Sequence, residues 1–183
     1  MECISISHKT ANSADRQRCY ISKEDAARFL EEVMGLKQVE QCVVLSTCNR
    51  MEIYAQGEET CFKELEKVLA KEADADVEWV RGRVRRYHDE KAIRHLFQVV
   101  CGMESMVIGE DEILGQTRDA YLFSKERGYT GYELNSIFQA ALACAKRVRT
   151  ETVISRTAVS VATLAANEVF RLSLPRKTVL LIG

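Results

Sequence analysis

Cys42-Val43-Val44-Leu45-Ser46-Thr47-Cys48-Asn49-Arg50-Met51-Glu52-Ile53-Tyr54-Ala55 has the pattern of two strands and the turn between them. The aliphatic run Val43 to Leu45 leads in. Met51, Ile53 and Ala55, alternating with Glu52 and Tyr54, lead out. Thr47, Cys48, Asn49 and Arg50 between them are small or polar residues suited to a turn. A cysteine at a hairpin tip can face solvent or a cleft, whereas one inside the strand would be an inert small hydrophobe. An unperturbed thiol has a pKa of about 8.5, and a nearby guanidinium stabilises the nucleophilic thiolate. Arg50 lies two residues on, so in extended chain it projects to the same side as Cys48. Spacing alone leaves both readings of Cys48 open.

Around this hairpin the other elements fall into order. Residues 3 to 7 alternate and read as a first strand; residues 11 to 21 have no clear period and read as an irregular connection. Ser22 and Asp25 give an N-cap signal. Ala26, Phe29, Leu30, Val33 and Met34 then recur at helical spacing up to Gly35. A second amphipathic helix carries Phe62, Leu65, Val68 and Leu69, and residues 77 to 87 read as a fourth strand. The sum is an α+β fold, a split β-α-β-β-α-β antiparallel sheet with helices on one face.

Within that fourth strand Arg81, Arg83 and Arg85 alternate and so would share one face. They read either as a solvated outer face or as a stripe contacting phosphates, which would add affinity without sequence information.

From Glu90 the pattern turns helical almost without a break. Ile93, Leu96, Phe97, Val100 and Met103 form an apolar stripe with His95 beside it, a position that suits a structural histidine as well as a proton handler. Glycines at 102, 109 and 115 punctuate the next stretch. The acids at 110 to 112 either complement a helix dipole or hold a polar substrate. Helices are expected over 113–127, 133–149 and 158–172. The polar stretch from Arg149 to Arg156 marks a domain boundary. Lys177 to Gly183 reads as a buried apolar strand of the kind found in parallel sheets, and helix, strand and glycine together suit the opening of a dinucleotide-binding unit. That ending points to a gene fragment cut where a second domain begins.

Composition excludes several classes. Of the 183 residues, 46% are hydrophobic and 29% charged, as in ordinary globular proteins. No apolar run approaches the roughly 20 residues of a membrane span, and the N-terminus lacks a basic-then-apolar signal, so the expected location is cytoplasmic. Seven cysteines without a Cys-x-x-Cys pair argue against a disulfide framework and a zinc site. A net charge of −1 means that nucleic-acid contact must come from a local patch.

Several segments together resemble one family. Ser46 to Arg50 followed by Glu52-Ile53-Tyr54 is similar to the nucleophile motif of glutamyl-tRNA reductase. His95-Leu96, Gly102 to Ser105, Gly109-Glu110 and Ile113 to Gln116 resemble its second signature. Ser7 to Thr10, Ala158 to Ala162 and Thr178 to Gly183 match further segments, so the resemblance covers nearly the whole chain. Glu112 stands where the family usually has Gln or Arg, Thr117 where it has Val or Ile, and Asn12 where it has Pro.

The resemblance implies an NADPH-dependent reductase that converts glutamyl-tRNA to glutamate-1-semialdehyde in tetrapyrrole synthesis. It implies a thioester nucleophile at Cys48 and an acyl-transfer assistant at His95. It implies a glutamate pocket of Thr47, Asn49, Arg50, Ser105, Glu110 and Gln116, with Arg50 on a carboxylate. It further implies a catalytic, glutamyl-tRNA-binding domain over 1–150. Residues 151–183 would be a linker, a helix and the first strand of a truncated Rossmann-type NADPH domain, with Gly183 at the cofactor. The implied partners are glutamyl-tRNA, a second copy joined through a C-terminal domain that this chain lacks, and the downstream aminomutase. A non-catalytic tRNA-binding or regulatory paralogue, and a free-standing thiol acyltransferase or hydrolase, are the competing classes.

Overall fold

A computed structural model describes residues 1–57, 61–154 and 161–172, with 178 and 180. Four strands, β1 (Glu2–Ser7), β2 (Val39–Thr47), β3 (Arg50–Gly57) and β4 (Arg85–His88), form one antiparallel sheet in the order β2-β3-β1-β4. Helices α1 (Ser13–Arg18) and α2 (Ala26–Met34) connect β1 to β2; α3 (Cys61–Glu72) and α4 (Val77–Arg81) connect β3 to β4. Each connected pair therefore has one strand lying between its members, which is the expected split β-α-β-β-α-β arrangement.

Alternation along the strands sorts the side chains onto two faces. Ile4 and Ile6 of β1 join Met51, Ile53 and Ala55 of β3 in a core completed by Phe29, Leu30 and Val33 of α2 and Leu65 and Leu69 of α3. The helices of the split unit thus lie on one face, as the sequence implies. The later helices, α5 (Glu90–Val100), α6 (Glu112–Glu126) and α7 (Tyr132–Glu151), roof the other face. There Cys3, Val43 and Tyr54 pack with Leu96, Val100, Leu134 and Phe138. Tyr54 meets Phe138 edge-on at 5.5 Å, and Phe138 stacks on Tyr121. The amphipathic stripe of α5 was readable in the sequence, but the surface it would cover was not.

Two segments differ from the sequence reading. Residues 77 to 87 are not one strand: Val77–Arg81 is α4, and only Arg85–His88 is extended. The Asp76 side chain accepts from Trp79 N at 2.6 Å, an N-cap that starts a helical turn. Trp79 then lies under two guanidinium groups, Arg18 at 4.7 Å and Arg83 at 4.1 Å. In the supposedly irregular 11–21 segment, Asn12 accepts from Asp15 N at 2.9 Å and starts α1, a helix too short to show a period.

Strand β2 is an edge of the sheet. Its first half is covered, since Cys42 N–H donates to Tyr129 O at 2.8 Å and Gln41 accepts from Gly131 N at 2.6 Å. The helix expected at 158–172 is present as α8 (Val161–Arg171). The expected strand 177–183, with Gly183, lies outside the described residues apart from Thr178 and Leu180.

Candidate active site

The turn between β2 and β3 is built by Thr47, whose Oγ1 accepts from the N–H groups of both Asn49 and Arg50 at 3.2 Å. This internal clasp lifts Cys48 to the tip, where it is exposed. Two further bonds tie the tip down. His8 N–H donates to Asn49 O at 3.1 Å, and Arg16 Nε–H donates to Cys48 O at 3.3 Å. The other cysteines are in a different state. Cys3, Cys19, Cys42, Cys61 and Cys101 are buried. Burial pushes their thiols up, to about 11 for Cys19 and Cys101 and well above the ordinary value for Cys3. Cys144 is intermediate, which leaves Cys48 as the one exposed cysteine among the described residues.

Behind the tip lies a buried polar cluster centred on Glu52, which is fully buried. Glu52 Oε1 accepts from Ser5 Oγ at 2.8 Å, from Arg50 Nη1 at 3.0 Å and from His95 Nε2 at 2.9 Å; Oε2 accepts from Tyr54 OH at 2.6 Å. Burial alone would raise the Glu52 carboxyl. The His95 hydrogen bond, the Arg50 charge and the Tyr54 hydroxyl outweigh it and hold the group down at about 2. Glu52 is therefore an anion, which can only accept from the ring nitrogen it faces. The His95 ring stacks on Tyr87 at 4.1 Å, which fixes its plane. Burying these charges has a cost that four donors on one carboxylate offset.

The loop between α5 and α6 closes over this cluster. Glu104 O accepts from Arg50 Nη2 at 2.5 Å, and the Glu104 carboxylate pairs with Lys9 at 2.5 Å. The loop needs its glycines: Gly102 and Gly109 have φ of +76° and +84°, and Gly109 N–H donates to Gly102 O at 3.0 Å. A Cβ on Gly109 would lie 2.3 Å from Ile154 O, so the end of α7 and the residues after it press on this loop. Arg149 adds an ion pair to Asp111 and a bond to Glu110 O at 2.6 Å.

Cys48 stands at the rim of a pocket of about 570 Å³ that runs along the outer edge of β2. Its walls include Ile21, Leu30, Val44 and Phe123, and Thr47 and Gln116 line it as well.

Comparison with known proteins shows the family. Residues 4–152 match the family model described as glutamyl-tRNAGlu reductase, N-terminal domain. The chain belongs to that family. Similar relatives are the glutamyl-tRNA reductases of Pelobacter propionicus, 40% identical over 185 residues, and Desulforudis audaxviator, 39% identical over 184 residues. Each alignment covers 98% of this chain, and 42% and 41% of the respective relative. Glutamyl-tRNA reductase from Methanopyrus kandleri is a similar solved structure, with a TM-score of 0.74 and 32% identity over 93% of this chain and 39% of that one. The chain thus spans about two fifths of the length of the curated relatives it matches.

Within this glutamyl-tRNA reductase domain the expected site residues divide into groups. Thr47, Cys48 and Gln116 share the β2-edge pocket. Arg50 and His95 meet on Glu52 and are 2% and 4% exposed. Ser105 is buried beside them in sequence to Glu104, and its Oγ has no hydrogen-bond partner among the described residues. Asn49 serves the turn through its carbonyl, and Glu110 is held through its carbonyl by Arg149. Glu112 is exposed in the first turn of α6, the position that suits a helix dipole.

The arginine stripe does not form, because α4 interrupts the expected strand. Arg81 pairs with buried Glu66 at 3.0 Å and Arg83 with Asp15 at 2.9 Å, while Arg85 stays on the surface beside Tyr87. Sequence reasoning missed Glu52 and Glu104. Glu52 had a signal, an acid inside an otherwise buried alternating strand; the carbonyl of Glu104 had none.

Proposed function

We propose that this chain is the acyl-transfer part of a glutamyl-tRNA reductase, with residues 1–150 holding glutamyl-tRNA and Cys48 as the nucleophile. The observation that carries the reading is that Cys48 alone of the described cysteines is exposed, on a clasped turn, at a pocket rim and two residues from Arg50 of a preorganised ionic cluster. The sulfur attacks the glutamyl ester carbonyl, the C–S bond forms, the C–O bond breaks, and the ribose hydroxyl leaves with the thiol proton. A thioester is more electrophilic than an oxygen ester, so a difficult step is divided into two easier ones. Arg50 offers its remaining N–H groups to the substrate carboxylate, a pairing that suits its planar fork. His95 is a positioning residue that holds Glu52, and through it Arg50. Ser105, Glu110, Gln116, Thr47 and Asn49 complete the glutamate pocket.

NADPH supplies the hydride in the whole enzyme. The residue expected at the cofactor, Gly183, lies outside the described residues. Residues 151–183 lead toward that domain. Pairing with a second copy, hand-over to an aminomutase and a cytoplasmic setting belong to the same reading; among the described residues no helix is long and apolar enough to cross a membrane.

Without a hydride donor, water resolves the thioester. In the absence of added NADPH the chain is expected to release glutamate slowly from labelled glutamyl-tRNA. Cys48→Ser is expected to abolish the release, because a serine hydroxyl is a much poorer nucleophile than a thiol without a dedicated activating base. Equal release by both proteins would end the thioester mechanism for this chain.

A further inference from the structure

Register decides which backbone groups of β2 face outward. In an antiparallel ladder, opposite residues alternate between pairs that exchange both hydrogen bonds and pairs whose N–H and C=O point away. Thr47 and Arg50 close the hairpin, and Cys42 N–H points out of the sheet to Tyr129 O. Thr47, Leu45 and Val43 therefore bond to β3, while Cys42, Val44 and Ser46 direct N–H and C=O outward. The loop at 129 to 131 covers the outward groups at the start of β2, but those of Val44 and Ser46 have no backbone partner among the described residues. They line the pocket whose rim holds Cys48. Open edge groups normally invite a ligand or another strand. Here α2 and α6 wall the edge on both sides, leaving about 570 Å³. That volume suits a small molecule with a flat ring.

We propose that this pocket is a nucleoside subsite, in which the Val44 C=O and Ser46 N–H read the edge of an adenine ring. Adenine presents an N–H donor at N6 beside an acceptor at N1, which complements a C=O followed by an N–H two residues on along one strand edge. Ile21, Leu30 and Phe123 supply apolar ring contacts, and Lys23 at the rim suits a 5′-phosphate. The placement follows from the chemistry of Cys48 and rests on the function proposed above. The acyl part of the ester lies toward Arg50, with Thr47 and Gln116 lining the pocket where the acyl and alcohol parts meet, so the alcohol part extends away from Arg50 along the β2 edge. In an aminoacyl-tRNA that alcohol is the 3′-terminal adenosine.

The test uses the 183-residue chain and adenosine 5′-monophosphate, with binding followed by calorimetry and by protection of Cys48 from iodoacetamide. Saturable binding that slows alkylation is expected. Uridine 5′-monophosphate, whose edge presents acceptor and donor in the opposite order, should bind at least about five-fold more weakly. Lys23→Ala should weaken the adenine nucleotide by about two- to five-fold and leave adenosine itself unchanged, the size of one exposed charge pair. Ser46→Pro removes the outward N–H assigned to adenine, at a position where an edge strand tolerates proline; it should lower adenosine affinity relative to Ser46→Ala, which loses the same hydroxyl but keeps that N–H, while circular dichroism stays unchanged. Should it fail to fold, the Lys23→Ala comparison stands without it. Equal binding of the two nucleotides, no saturable binding, or capture of an extended peptide along the edge in place of the nucleotide would overturn the assignment. Because no bond is made in these measurements, their failure leaves the Cys48 mechanism standing, and failure of that mechanism leaves nucleotide binding measurable.

Discussion

Through the centre of one sheet face, Ile4, Ile6, Met51, Ile53 and Ala55 meet α2 and α3 as apolar surface. On the opposite face the alternate residues of the same strands, Ser5, Arg50, Glu52 and Tyr54, gather around a carboxylate and draw in His95 from α5. The first face gains stability in proportion to the area it removes from water, and any residue of similar size and shape would serve nearly as well. The second face contributes little net energy, since desolvating its charges offsets most of what their pairing returns. What it supplies is direction: each donor is aimed, and the turn bearing Cys48 grows out of the strand that carries Arg50 and Glu52. The comparison teaches that this sheet separates holding the chain together from orienting its chemistry.

The largest effect should come from breaking the second face at its centre. Glu52→Ala leaves Arg50 buried without its countercharge, with only the Glu104 carbonyl still accepting from it, which typically costs roughly 3–5 kcal/mol. It should also change the alkylation rate of Cys48 and slow glutamate release. Ile53→Ala on the first face should cost a comparable ~2–5 kcal/mol in urea denaturation yet leave the Cys48 alkylation rate of the folded protein unchanged. If both variants alter that rate equally, the two faces do not have separate roles.

Acid sharpens the same contrast. The Glu52 carboxyl sits at about 2 in the folded chain, below the ordinary carboxylate value of 4.5. Its contribution is therefore fully present above that ordinary value and is lost as pH falls through about 2. Thermal melts of the wild type should decline over this window, and Glu52→Gln should remove the part of the decline that this group causes. An identical acid limb in the variant would show that other carboxylates dominate.

A smaller gain is expected at Thr117 on α6. Its side chain is fully buried and its Oγ1 lacks a hydrogen-bond partner among the described residues. Thr117→Val replaces that hydroxyl with a methyl of nearly the same shape. It should stabilise the domain by about 1 kcal/mol, measured by denaturant midpoint at constant m. A loss of stability would mean that the hydroxyl is satisfied in solution.

Much of the first face was legible in the sequence. The 2-residue alternation of residues 3 to 7 and 51 to 55, and the helical spacing of Phe29, Leu30 and Val33, are local signals of burial, and they gave both elements and their sides. The segment from 77 to 87 misled because alternating arginines around Gly82 imitate a strand, while the deciding signal was a single capping residue, Asp76. The second face was legible only in part. Arg50 and His95 could be named from the resemblance, but their meeting on Glu52 depends on α5 folding across the sheet, and no local period encodes that contact. The pocket along β2 was hidden for a similar reason, since its walls come from segments far apart in sequence, around Ile21, Val44 and Phe123, which no local period brings together.

The central claim is that Cys48 takes the glutamyl group as a thioester. The direct measurement is to mix the chain with glutamyl-tRNA, quench with acid within the first turnover, and map the adduct by peptide mass spectrometry. The account predicts one glutamyl group on the peptide containing Cys48, discharged by hydroxylamine and absent from Cys48→Ser. A glutamyl group on another residue, or glutamate release by wild type with no adduct at any quench time and no loss in Cys48→Ser, would contradict it.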